Sequence, residues 1–286
     1  MDETNVKPAA DEALALLGLY LRERVSPHPI LNPYLADAAV WVTGSVAAGV
    51  WDEMAELDLR LLLPDEEHSR LAAALREVHL WEPGRDFRLR LEDREPFRRF
   101  PGVRLHVLSG TQLRQEFRYD PPVALWVHQH ARVLQDPLGG LDAQVREGEE
   151  RFRDALPSLR CEHYYLFREA RNDMIPRLMP RRLSTGLAIK RGEAVREALR
   201  LAFLADGKPY PYDKWLEVMA ERETSSGSGI VTAVRALISA REPLAVERAG
   251  KVLRDRVAFA LQQGGVSESW LEQWWLWPSI APGSHQ

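Results

Sequence analysis

Gly44-Ser45 closes one apolar run and Glu56-Leu57-Asp58 opens another, and these are the residues of the chain whose types and spacing could do chemistry together. Residues 38–43 are apolar and largely β-branched or aromatic, as a buried strand is, and Gly44 stands where the backbone must turn sharply. Ser45 falls where a helix would begin. Free amides at such a point favour a phosphate, and a serine hydroxyl adds a donor. Side chains two apart on a strand share a face, so Glu56 and Asp58 project together from the run Leu57 to Leu63. Paired carboxylates suit a hard divalent cation, which completes its shell with the phosphates of a ligand.

The full stretch, AVWVTGSVAAGVWDEMAELDLRLLLP, resembles the signature of the polymerase-beta-like nucleotidyltransferases, in particular the branch that adenylylates aminoglycosides and lincosamides. There the pattern is Gly-Ser, a variable loop, then two carboxylates one residue apart opening an apolar strand. The resemblance implies a transferase that moves a nucleoside monophosphate, AMP for preference, from ATP or another nucleoside triphosphate to a hydroxyl of a small molecule, an antibiotic being one such acceptor. Glu56 and Asp58 would hold Mg2+ or Mn2+, and Gly44 and Ser45 would position the outer phosphates. A second segment, from Ala198 to Leu204 and on through the Tyr/Pro turn to Lys214-Trp215-Leu216, is similar to one that recurs in these transferases. Lys214 would then reach a phosphate across a cleft; the plain alternative is that it lies over the bundle surface while Trp215 anchors the core.

The family places a third carboxylate on a later strand. Here the expected strand is Val103 to Leu108, with Val103, Leu105 and Val107 on a core face and Arg104, His106 and Leu108 on the other. The third position therefore maps to His106, or else to Arg104. Three roles are open for His106. It could be a general base toward a hydroxyl, a ligand favouring Mn2+ over Mg2+, or a hydrogen-bonded strand residue in a site that does not turn over. Glu92 and Asp93, which follow the strand-like run Phe87 to Leu91, could supply the missing acid if that run lies alongside. Two other functions follow from the same residues: a nucleotide-binding or partner-binding protein that has lost turnover, and a transferase acting on tRNA or protein.

Composition places these motifs in an ordinary globular chain. Its 286 residues, 45% hydrophobic and 28% charged, are enough for two domains with separate cores. The start, MDETNVKPAADE, is unlike a secretory signal, no apolar run reaches membrane-spanning length, and the single Cys161 allows no internal disulfide. A reducing cytoplasm is the expected compartment. The net charge of −4 is too small to argue for bulk nucleic-acid binding, which is not expected. Basic residues still cluster. Arg177, Arg181, Arg182, Lys190 and Arg191 form an acid-free run, and Arg85 to Arg104 is rich in arginine; each reads as a solvated face or a triphosphate clamp.

Pattern then supplies the elements that must position the site. An opening helix from about Ala9 to Arg24 precedes the Gly-Ser strand; a helix from about Ser69 to Val78 follows the acidic one, and another near Thr111 to Phe117 follows the His106 strand. Residues 131–135 read as a last strand, closed by Asp136-Pro137-Leu138-Gly139-Gly140. From there the pattern is helical, in pieces that include Glu147 to Ala155, Arg160 to Ile175, Leu187 to Ala205, Ile230 to Ile238, Pro243 to Gln262 and Ser267 to Trp277. ERETSSGSG, residues 221–229, reads as a flexible connection. Glu169 and Asp173, four apart, read as a helical acid pair, and Trp270, Trp274 and Trp277 as a core or homodimer face. The fold class expected is α+β: a small mixed-sheet nucleotidyltransferase domain over residues 1–144, then an all-helical substrate-binding bundle over 145–286.

Overall fold

The computed structural model describes residues 6–50, 55–80 and 103–277. The expected run Phe87 to Leu91, Glu92, Asp93 and most of the arginine-rich stretch lie outside the described residues. The chain is α+β, with a four-stranded mixed sheet in its first part and helices throughout its second. It divides into two compact units, Met1–Glu149 and Glu150–Gln286.

In the first unit α1 (Val6–Tyr20) runs on through a π-helical stretch, Leu21–Val25, to the short α2 (Asn32–Leu35). Then come β1 (Ala39–Thr43), the single turn α3 (Gly44–Ala47), β2 (Leu57–Leu63), α4 (Asp65–Glu77), β3 (Val103–Ser109), α5 (Gly110–Tyr119), α6 (Pro121–Gln129) and β4 (Arg132–Gln135). The strand order is β3-β2-β1-β4, with β2 and β3 parallel and the other pairs antiparallel. Alternation decides the faces. Val40, Val42, Leu57, Leu59, Leu61, Val103, Leu105 and Val107 join Ala13, Leu17, Leu71 and Leu75 from α1 and α4 in one core. The polar residues between them are left for the opposite face. α4 starts at Asp65, four residues before the expected Ser69, because Pro64 stands just outside it and Asp65, Glu66 and Glu67 fill its first turn, where acids suit the free amides.

The last strand ends as the turn residues suggested. Asp136 accepts hydrogen bonds from the backbone amides of Gly140, Leu141 and Asp142 at 3.1, 3.2 and 3.2 Å. It thereby starts α7 (Gly140–Arg168), a single helix where sequence pattern suggested two pieces. Pro157 lies inside it without breaking it; Phe152 before the proline and Tyr164 and Phe167 after it are all buried, and that packing offsets the lost backbone hydrogen bond.

A π-helical stretch, Glu169–Met174, leads into α8 (Ile175–Leu178) and the long α9 (Ser184–Ala205). A 3-10 turn, Asp213–Trp215, then opens α10 (Leu216–Glu223), followed by α11 (Gly227–Ser239), α12 (Pro243–Gln263) and α13 (Glu268–Glu272). The segment 221–229 is not the flexible connection its composition suggested. Only Thr224, Ser225 and Ser226 lie between helices. Asp206 accepts from both the amide and the hydroxyl of Ser225, the Thr224 hydroxyl donates to the Ala220 carbonyl, and a β-carbon on Gly227 would stand 1.8 Å from that same carbonyl oxygen. The small residues permit a tight helix-to-helix corner. Of the C-terminal tryptophans, Trp274 is buried beside Tyr165, Trp270 lies against Tyr164, and Trp275 is exposed.

Candidate functional site

β1 and β2 pair with Thr43 opposite Asp58, which brings the turn after β1 over the acid near the start of β2. Gly44 has φ +77°, and a β-carbon there would lie 2.4 Å from Asp58 Oδ2. Only a residue without a side chain lets the carboxylate seat against the turn. Ser45 is buried at the first turn of α3, which is four residues long, so its helix dipole is slight.

β3 lies on the other side of β2, with Arg104 beside Asp58 and His106 beside Arg60. Both therefore share the polar face with Asp58. The Arg104 guanidinium pairs through Nη2 with Oε2 of Glu56, and His106 Nε2 lies 3.7 Å from Asp58 Oδ1. The buried Nε–H of Arg104 has no acceptor among the described residues.

Next along the face, Arg60 Nη1 donates to both oxygens of Glu116 on α5, at 3.1 and 2.8 Å. His128 of α6 is 3.4 Å from the same carboxylate; with an acceptor-only partner, its Nε2 carries the proton. Burial alone would raise the Glu116 carboxyl, but the His128 hydrogen bond and the Arg60 charge outweigh it and hold the group at about 2. Burial pushes His128 down, below the ordinary histidine value. Trp41, fully buried on β1, lies 5.9 Å from the His128 ring, which stacks on Phe117.

Periodicity made part of this row accessible in advance, since Arg60 is two residues beyond Asp58. Glu116 and His128 carried no such signal, because nothing local links them to β2. The same is true of a buried set in the second unit, where His163 Nδ1 meets Glu197 Oε2 at 2.5 Å and Tyr210 Oη meets His163 Nε2 at 3.0 Å. Lys214 also belongs to the second unit. Its ammonium lies 4.8 Å from the centre of the Trp215 ring. Two members of the basic run have internal partners: Lys190 pairs with Glu193, and Arg191 donates to the Ala240 carbonyl.

A magnesium or manganese ion at Glu56 and Asp58 would need oxygen donors not already neutralised by a neighbouring cation. The described donor set does not fit that need. Glu56 is engaged by Arg104, Asp58 has an imidazole beside it, and β3 offers a guanidinium and an imidazole where a third carboxylate is expected. Among the described residues no three His, Cys, Asp or Glu side chains form a group able to hold a metal ion.

No protein-family model matches the chain, and no curated protein does. Among solved structures, the chain is similar to a nucleotidyltransferase-like protein from Exiguobacterium sibiricum, with a TM-score of 0.42 and 13% identity over 89% of this chain and 77% of that one. Among the described residues, no helix is long and apolar enough to cross a membrane.

Proposed function

We propose that this chain binds a nucleoside triphosphate, ATP being the reference ligand, on a nucleotidyltransferase-type scaffold that is impaired in transfer. The observation that carries the reading is the seating of Asp58 Oδ2 against the Gly44 turn. A phosphate-type turn and a carboxylate strand, separate in sequence, adjoin as such a site requires. Gly44 and Ser45 would receive the outer phosphates. The impairment follows from Arg104, which engages Glu56 on the strand where an acid is expected.

A second reading keeps turnover, and the contact between His106 and Asp58 favours it. An imidazole on the carboxylate face would take the proton of an acceptor hydroxyl in that reading. The acceptor would be a small molecule, an antibiotic among the candidates, and AMP the group transferred.

Calorimetric titration with ATP, in EDTA and with Mg2+ or Mn2+, tests the first reading. Wild type is expected to bind, and Gly44→Ala to lose at least about tenfold, since the added methyl meets Asp58 and the residue must keep a positive φ. Failure of wild type to bind under all three conditions sinks the proposal. Steady pyrophosphate release with an acceptor, abolished in His106→Ala, would establish the second reading instead.

A further inference from the structure

We infer that Arg104 is the fixed cation of this site and keeps a divalent ion off the Glu56 and Asp58 carboxylates. This rests on the reading of the polar sheet face as a nucleotidyltransferase-type site, and names what charge that site uses.

Three observations meet at one residue. Parallel pairing puts Arg104 directly beside Asp58, so its side chain leaves the sheet on the carboxylate face. Its guanidinium pairs with Glu56, whose side chain is 28% exposed against 33% for Arg104. Its Nε–H is buried without an acceptor among the described residues, where the ion pair with Glu56 is the contact that holds the side chain.

A divalent ion shared by Glu56 and Asp58 would have to approach a group that already carries a positive charge. It would have to displace the guanidinium from Glu56 or sit against it at close range, where like charges repel strongly in a partly desolvated site. Among the described residues, the neighbouring charges do not reverse this balance: Arg60, the next cation on the face, is occupied by Glu116, and the other described group beside Asp58 is His106. The guanidinium instead supplies planar N–H donors suited to a phosphate oxygen, with no ion to recruit.

The test uses Mn2+ alone, read by the loss of its free paramagnetic resonance signal, with the full chain and four variants. Wild type and Asp58→Asn are expected to give the same titration. Arg104→Glu is expected to gain one Mn2+ per chain, bound roughly tenfold or more tighter than any wild-type site, as an added oxygen donor predicts. That ion should be lost again in Arg104→Glu/Asp58→Asn. Arg104→Met, which adds no ligand, guards against a folding failure of the charge reversal and should gain weaker binding; circular dichroism confirms that each variant is folded. One Mn2+ bound by wild type and lost in Asp58→Asn overturns the inference, as does the absence of any gain in both Arg104 variants. The expected Mn2+ results alongside no ATP binding would leave Arg104 as the excluding cation and remove only the nucleotide reading.

Discussion

Glu116 shows how one side chain on the site face responds to its surroundings. Its carboxyl sits at about 2, against an ordinary 4.5, because His128 and Arg60 together outweigh the cost of burial. A folded value below the unfolded one means stability that is fully present above about pH 4.5 and is lost as pH falls toward 2. Glu116→Gln is therefore expected to cost about 1–2 kcal/mol at pH 7, discounted because the side chain is partly exposed. The gap to wild type should close between pH 4.5 and 2. Urea denaturation at pH 7, 4 and 2.5 measures it, and a gap that stays constant with pH would show that the Arg60 and His128 contacts do not hold the carboxyl down.

At the scale of elements, Arg160 on α7 joins the ends of two other helices. Its three nitrogens donate to the carbonyls of Leu204, Ala205 and Gly264 at 2.7, 3.0 and 2.8 Å, where α9 and α12 finish. Terminal carbonyls lack partners within their own helix, and a cation there also meets the negative end of the dipole. Replacement by methionine keeps the stem and removes all three donors, at an expected cost of about 2–4 kcal/mol. Lysine, with one nitrogen in place of a planar fork, should recover less than half of it. Equal melting curves for wild type and Arg160→Met would reduce these contacts to surface decoration. The corner at 224–226 belongs to the same scale. Serine and glycine there suggested flexibility, but Asp206, 19 residues before Ser225, fixes the turn. Composition records which residues are small, and the partner that uses their smallness lies elsewhere.

Across the whole molecule, each unit carries its own buried residues: Leu59 and Trp41 in the first, Phe203 and Trp274 in the second. Leu59→Ala, which empties space in the sheet core, should cost about 2–5 kcal/mol. Fluorotryptophan resonances followed through a urea titration should show Trp41 and Trp126 shifting to a lower midpoint by more than Trp274. Identical shifts at all three would mean that the two units unfold as one.

The four described strands, most of the described helices and the α+β class were legible in the sequence, because period-two and helical alternation and the sharp turn at Gly44 are local properties carried by neighbouring residues. The shared face of Glu56 and Asp58 followed from the same alternation. Which groups those acids meet did not. Arg104 comes 48 residues after Glu56 and Glu116 comes 56 after Arg60, and only the register of β3 on β2 and the placement of α5 and α6 bring them together. Local sequence thus determined which side chains point to the site face. Tertiary structure decided how their charges are paired, because an ion pair depends on distance in space, and strand register sets that distance.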